Sequence, residues 1–149
     1  MSNKKTIELL KQIVKNKGLK YTKQREIIFE TILESNNHIS ADEINSIIKK
    51  KYKNSNIGIA TIYRALSFLE DAKLITSVMI NSDTKMYENN LKSHHDHLVC
   101  INCGKIVEFC DEEIEARQNN IALKFGFEIT SHTMYLYGLC SECQNKNSY

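Results

Sequence analysis

The 149-residue chain contains no proline, no run of about 18 apolar residues, and no apolar leader at its Lys-containing N-terminus. The missing apolar run excludes a membrane-spanning helix, and the missing leader argues against secretion. We therefore expect a soluble, cytoplasmic protein, in which thiols stay reduced and clustered cysteines favour metal over disulfides. The absence of proline carries no functional inference.

Charge divides the chain into two halves of different kind. Residues 1–82 carry 14 basic and 8 acidic residues, a balance of +6, whereas residues 83–149 carry 6 basic and 10 acidic residues, a balance of −4. A basic half suggests a polyanionic partner. The acidic half contains the cysteines and four of the five histidines, which suggests cation binding.

Residues 94–103 place three histidines, one aspartate and two cysteines within ten positions. Cys100 and Cys103 form one Cys-x-x-Cys pair, and Cys140 and Cys143 form a second. Each pair can present two thiolates on one side of a turn, and two such pairs at this separation are typical of a structural zinc site. Two disulfides or a thioredoxin-like redox pair are the alternatives, which the reducing compartment and the absence of a clear βαβ unit disfavour.

The histidines before the first cysteine pair suggest further metal sites. If residues 94–97 are extended, the two-residue period of a strand sends His95 and His97 to one face and His94 and Asp96 to the other. Two additional sites could then lie back to back, because imidazole and carboxylate are ordinary metal ligands. A solvated loop is the alternative, and it would be preferred for a single histidine.

Apolar residues at helical spacing predict four helices in the basic half. Gly18 is positioned to end the first helix, and Thr22 to cap the second. Ser40 is positioned to begin the third through a capping box, and this helix would bury Ile44, Ile47 and Ile48. The fourth helix is predicted over 59–71. A β-hairpin with an Asn81-Ser82-Asp83 turn follows, and short helices followed by a hairpin make a winged helix-turn-helix.

The exposed face of the fourth helix suggests which polyanion is bound. Its apolar stripe would face the core, and the opposite side carries small, aromatic and basic residues: Ala60, Thr61, Tyr63, Arg64 and Ser67. In a major groove, arginine can bond guanine or phosphate, and a tyrosine ring can contact thymine methyls. We therefore expect double-stranded DNA as the partner, with a generic helical bundle that has a basic surface as the alternative.

The acidic half is predicted to be a small α/β unit. In chain order its elements are strands over 98–100 and 106–109, a helix over 111–125, and strands over 127–130 and 134–139. Few helices cover such a sheet, so an apolar surface would stay exposed unless the unit forms a homodimer.

The fold class is therefore α+β, with an N-terminal winged helix-turn-helix domain and a small α/β dimerisation domain that contains a four-cysteine zinc site. The predicted domains are 1–88 and 94–149, and the polar stretch 89–93 between them is the predicted hinge.

Five motifs span almost the whole chain: 18–25 (Gly-Leu-Lys-Tyr-Thr-x-x-Arg), 58–66 (Gly-Ile-Ala-Thr-Ile-Tyr-Arg-Ala-Leu), the block 94–103, 104–109 (Gly-Lys-Ile-Val-Glu-Phe) and 136–143 (Leu-Tyr-Gly-x-Cys-x-x-Cys). Together they resemble the ferric uptake regulator (Fur) family of bacterial metal-dependent transcription factors, and the combination is highly specific. The resemblance implies a homodimer that represses iron-uptake genes when Fe(II) is plentiful. Two winged helices on a two-fold axis would select an inverted-repeat operator.

The resemblance also implies a role for individual residues. The structural zinc ligands would be Cys100, Cys103, Cys140 and Cys143. The regulatory site would take His38, Glu88, His95, His97 and Glu108 as ligands of Fe(II), for which Mn(II) or Zn(II) could substitute. A further site would take His94, Asp96, Glu115 and His132. Lys20, Tyr63 and Arg64 match residues that touch DNA.

Two alternatives remain open at the level of sequence. Within the family, the chain could be a peroxide-sensing or zinc-responsive regulator, although peroxide-sensing relatives have aspartates where Glu88 and Glu108 stand here. From another class, a metallohydrolase could use His95, His97 and a carboxylate on a catalytic zinc. The hydrolase hypothesis leaves the basic helix unexplained and lacks an obvious substrate pocket, so we expect no enzymatic activity and no small-molecule substrate.

Overall fold

Residues 3–35, 37–53, 55–80 and 83–146 are described by the computed structural model. The chain divides into two units, Met1–Lys92 and Ser93–Tyr149. The boundary lies within the stretch 89–93, whose role as a hinge stays a prediction. Asn81 and Ser82 of the predicted hairpin turn lie outside the described residues.

Four helices make up most of the first unit: α1 (Asn3–Asn16), α2 (Lys23–Glu34), α3 (Ala41–Lys51) and α4 (Ile59–Asp71). Their ends follow the capping signals in the sequence. Gly18 adopts φ 65° just beyond α1, a left-handed conformation that glycine takes without steric cost. Thr22 Oγ1 accepts the Arg25 N–H at 3.3 Å, and Ser40 and Glu43 form a reciprocal capping box at the start of α3.

One apolar core joins these helices. Leu10, Phe29, Ile44 and Leu66, one from each helix, are almost completely buried in it. Ile47, which the helical pattern placed on the buried stripe of α3, is instead 39% exposed. The buried side of α4 consists of Ile62, Ala65, Leu66 and Leu69. Because this side of α4 packs in the core, the opposite side of the helix faces outward.

A three-stranded antiparallel sheet completes the unit, in the order β1 (Ile39–Ser40), β3 (Lys85–Asn89), β2 (Ile75–Met79). Strands β2 and β3 form the predicted hairpin, so the winged helix-turn-helix is confirmed. Glu70 of α4 fixes this wing, since its carboxylate accepts hydrogen bonds from Ser77 and from Lys85, the latter at 2.8 Å. Burial raises the pKa of Glu70, but these two hydrogen bonds outweigh it and lower the pKa below its ordinary value.

The second unit contains β4 (Asp96–Cys100), β5 (Ile106–Phe109), α5 (Glu112–Lys124), β6 (Tyr135–Gly138) and α6 (Ser141–Lys146). Its sheet has the order β5-β4-β6, with β5 antiparallel and β6 parallel to β4. The α/β class predicted for this unit is therefore correct. The short helix α6 was not anticipated by the sequence pattern.

One sequence expectation for this unit is wrong. Residues 127–130 do not form a strand, since the segment pairs with neither β5 nor β6 at the edges of the sheet. The apolar residues Ile121 and Phe125 of α5 are largely exposed, in agreement with the expectation that this unit leaves an apolar surface uncovered. None of the described helices is both long and apolar enough to cross a membrane.

Candidate functional site

The two Cys-x-x-Cys pairs lie together at one end of the second sheet. Cys100 ends β4, and the parallel pairing of β4 with β6 sets it opposite Gly138, just before the second pair. One sulfur from each of four cysteines lies within 4.8 Å of the others: Cys100, Cys103, Cys140 and Cys143. All five cysteines are in the described part of the chain, and none of them forms a disulfide.

The geometry and ionisation of this cluster fit zinc. Four sulfurs around a tetrahedral zinc at ~2.3 Å are about 3.8 Å apart, and Cys103 Sγ and Cys140 Sγ are 3.7 Å apart. The Cys140 N–H donates to Cys100 Sγ at 3.4 Å, and this bond is the largest of those that lower the pKa of Cys100 to about 6. The Asn102 side chain lowers the pKa of Cys143, but burial and the neighbouring sulfurs outweigh it and raise the pKa to about 12.

The Cys143 thiol therefore resists ionisation, because its sulfur lies close to the other three sulfurs. A soft divalent cation removes that penalty, since thiolates suit zinc and the ion's charge deprotonates a coordinating thiol.

A second cluster in the same unit combines two imidazoles with two carboxylates: His94, Asp96, Glu115 and His132. Glu115 Oε1 lies 3.1 Å from His94 Nε2 and 3.3 Å from His132 Nε2. Asp96 is completely buried, and neither of its carboxylate oxygens has a hydrogen-bond partner among the described residues. His94 Nε2 and His132 Nε2 lie 3.6 and 3.7 Å from Asp96 Oδ1. A buried carboxylate without a hydrogen bond is costly, so this arrangement fits a cation that would use Asp96 as a ligand.

His95, His97 and Glu108 form a third group of donors, on the opposite face of β4 from Asp96. His97 pairs in register with Glu108 of β5, and His95 Nε2 lies 3.8 Å from Glu108 Oε2. The rings of His95 and His97 are 4.8 Å apart. His95 Nδ1 is 2.8 Å from the Ser93 carbonyl, which accepts the Nδ1 proton and leaves the Nε2 lone pair for a metal.

The first unit contains its own pair of donors, His38 and Glu88. Ile39 of β1 pairs with Tyr87 of β3, so that His38 and Glu88 lie side by side. His38 Nε2 is 3.4 Å from Glu88 Oε1, and both side chains are buried. The sequence pattern did not reveal β1, a two-residue strand too short to show alternation, yet this strand is what brings His38 to Glu88.

Glu88 also has a cationic neighbour that sequence reasoning missed. Lys92 Nζ lies 3.6 Å from Glu88 Oε2, whereas His38 Nε2 lies 3.4 Å from Glu88 Oε1. The signal available in the sequence was only a lysine four residues after a glutamate, which has no meaning outside a helix.

The basic face of the first unit carries the residues expected to touch DNA. On α4, Tyr63 is 53% exposed and Arg64 is exposed, with Nη2 at 3.5 Å from Thr61 Oγ1. Lys20 is exposed in the loop before α2.

Arg25, which sequence reasoning left without a role, joins these two parts of the basic face. Its Nη1 donates to the Lys20 carbonyl at 3.0 Å, and its guanidinium lies 4.4 Å from the centre of the Phe68 ring on α4. Arg25 therefore fixes the loop that carries Lys20 against α4.

Known proteins share both the sequence and the fold. The ferric uptake regulator family model matches residues 16–137. The ferric uptake regulation protein of Campylobacter jejuni is 44% identical over 142 residues, which are 95% of this chain and 90% of that protein.

Two solved structures extend the likeness to three dimensions. The Helicobacter pylori ferric uptake regulator, whose structure reveals three functional metal-binding sites, superposes with a TM-score of 0.86 at 39% identity, over 97% of this chain and 95% of that one. The Francisella tularensis regulator with iron has a TM-score of 0.74 at 35% identity, over 85% of this chain and 96% of that one.

Substituting Cys140→Ser is expected to abolish stable zinc binding, because three sulfurs cannot complete the tetrahedron. Structural zinc contributes on the order of 10 kcal/mol of folding free energy in small zinc domains, so the second unit should lose its fold. Metal analysis after purification without chelator, together with near-ultraviolet circular dichroism, measures both effects. Cys110→Ser is the matched control, since Cys110 is exposed and outside the cluster. A zinc-free Cys140→Ser protein with an intact second unit would contradict the assignment.

Proposed function

The chain belongs to the ferric uptake regulator family, and on this premise we propose that it is an Fe(II)-dependent repressor of iron-uptake genes that acts in the cytoplasm. The observation that carries the proposal is the presence of imidazole and carboxylate donors in both units. His38 and Glu88 belong to the unit that carries the basic helix, and the second unit supplies His95, His97 and Glu108.

Neither group of donors is sufficient alone for an ion that prefers six ligands. We propose that one ion takes ligands from both groups, as three imidazoles and two carboxylates. Nitrogen and oxygen donors suit Fe(II) or Mn(II) better than a thiolate-seeking ion, and Zn(II) could also occupy the site. When bound, the ion supplies a fixed connection between the units and no reaction chemistry, so the proposal assigns no catalytic role to the chain.

A metal that connects the units changes the affinity for DNA. If metal binding fixes the basic helices in the orientation that DNA requires, it lowers the free energy of the DNA complex. By linkage, DNA binding then tightens metal binding by the same factor. The remaining cluster, His94, Asp96, Glu115 and His132, lies within the second unit and is proposed as an additional metal site that supports this unit.

The proposed assembly is a homodimer formed through the second unit. Its support is the apolar surface that this unit leaves exposed, including Leu123 at 75% and Phe127 at 70%. A patch of this kind marks an interaction surface. Two copies related by a two-fold axis would present two α4 helices to an inverted-repeat operator.

Arg64→Ala is expected to weaken operator binding by roughly 1 to 3 kcal/mol, because the side chain would contact a base edge or its adjoining phosphate. Fluorescence anisotropy with a labelled operator at several salt concentrations measures the loss. Arg117→Ala is the control, since it removes the same charge from an exposed position of the second unit. Equal affinities of the Arg64→Ala and unsubstituted proteins, with the fold intact, would refute α4 as the recognition helix.

His38→Ala is expected to keep the zinc and the dimer but lose most of the metal dependence of DNA binding, a coupling of about 1 to 3 kcal/mol. The reason is that the first unit would then contribute only Glu88. Anaerobic anisotropy with and without Fe(II) measures the coupling, and Asn37→Ala at the neighbouring exposed position is the control.

The same iron-loaded protein separates iron sensing from peroxide sensing. After low peroxide, mass spectrometry should find His38 and His95 unmodified. Stoichiometric addition of one oxygen atom to either histidine, with loss of DNA binding, would reassign the chain to the peroxide sensors.

A further inference from the structure

Glu88 has a neighbour that a metal ligand would not be expected to have, a lysine. The Glu88 side chain is 3% exposed, with Oε1 facing His38 Nε2 at 3.4 Å and Oε2 facing Lys92 Nζ at 3.6 Å. Lys92 is less buried, with 31% of its side chain exposed. Both oxygens of the carboxylate therefore face a nitrogen of the first unit.

The turn after β3 is what brings Lys92 back onto Glu88. The Leu91 N–H donates to Asn89 Oδ1 at 2.9 Å, which closes a tight turn immediately after the strand. The Asn90 backbone N–H donates to the Leu74 carbonyl at 3.1 Å, and its side chain donates to the Lys73 carbonyl at 3.1 Å. The two Asn90 hydrogen bonds anchor this turn to Lys73 and Leu74, so the fold sets the backbone that leads into Lys92.

A buried carboxylate requires compensation of its charge. In the absence of metal, Lys92 provides a full positive charge within ion-pair distance of Glu88. A divalent cation that binds Glu88 would face the same ammonium group across the carboxylate. Metal binding must then displace the lysine or proceed against its repulsion.

We propose that Lys92 sets the metal affinity of the regulatory site by competing with the metal for Glu88. The inference rests on the proposed function, since it takes Glu88 as a regulatory ligand. In this arrangement the lysine stabilises the metal-free protein and weakens metal binding, which raises the metal concentration at which repression begins. Because Lys92 is partly exposed, solvent screening limits the effect to a moderate change in affinity.

The test measures Mn(II) binding to the zinc-loaded full-length protein by equilibrium dialysis, with Mn(II) chosen because it does not oxidise in air. His38→Ala identifies which class of Mn(II) sites is regulatory. Lys92→Gln is expected to tighten that class roughly tenfold, and the gain should shrink as salt is raised. Lys92→Arg keeps the charge and should retain the original affinity.

Lys23→Gln is the matched control. Lys23 pairs with Glu26, another nearly buried carboxylate of the same unit, so the substitution removes the same charge and a more exposed ion pair away from Glu88. Its Mn(II) affinity should be unchanged. Thermal unfolding without Mn(II) gives a second readout, in which Lys92→Gln should lower the Tm by about 2 to 8 °C because Glu88 loses its counter-charge.

The outcomes separate this inference from the proposed function. If His38→Ala removes no class of Mn(II) sites, the regulatory site itself is wrong. If His38→Ala removes one class and Lys92→Gln leaves that class unchanged or weakens it, the regulatory site stands and the role of Lys92 is overturned.

Discussion

The second unit must be held together by something other than an apolar core. Among its described residues only Val99, Cys100, Cys143, Asp96 and His97 are buried, whereas the first unit packs a continuous core from four helices. Two of these five residues are polar and two are cysteines of the sulfur cluster. A zinc ion bound by the four cysteines would therefore be the main source of cohesion within one copy. The exposed apolar residues of α5 and of the segment after it would add cohesion only when another surface covers them.

Few elements of the second unit are needed to hold its candidate metal ligands. A single strand, β4, carries Asp96 and His97 on opposite faces and ends at Cys100, so three groups of donors share one rigid element. The first unit has a core of its own, so under the proposed function metal could bind His38 and Glu88 without a change in the shape of α4.

Local signals in the sequence were sufficient to predict much of the fold. The caps at Thr22 and Ser40, the glycine after α1 and the two Cys-x-x-Cys pairs each depend on neighbouring residues, and the structure has all of them. The wrong expectation involves distant pairing: residues 127–130 alternate like a strand but add to neither edge of the sheet. The strand β1 and the contact of Lys92 with Glu88 depend on tertiary register, which composition and periodicity do not encode.

Cooperative binding of metal and DNA is tested most directly by measuring the Fe(II) affinity of the zinc-loaded protein, without oxygen, in the presence and absence of saturating operator DNA. If one ion takes ligands from both units, DNA should strengthen Fe(II) binding by about 5- to 150-fold, the same factor by which Fe(II) strengthens DNA binding. Equal Fe(II) affinities with and without operator would contradict the coupling, even if the protein binds both partners tightly.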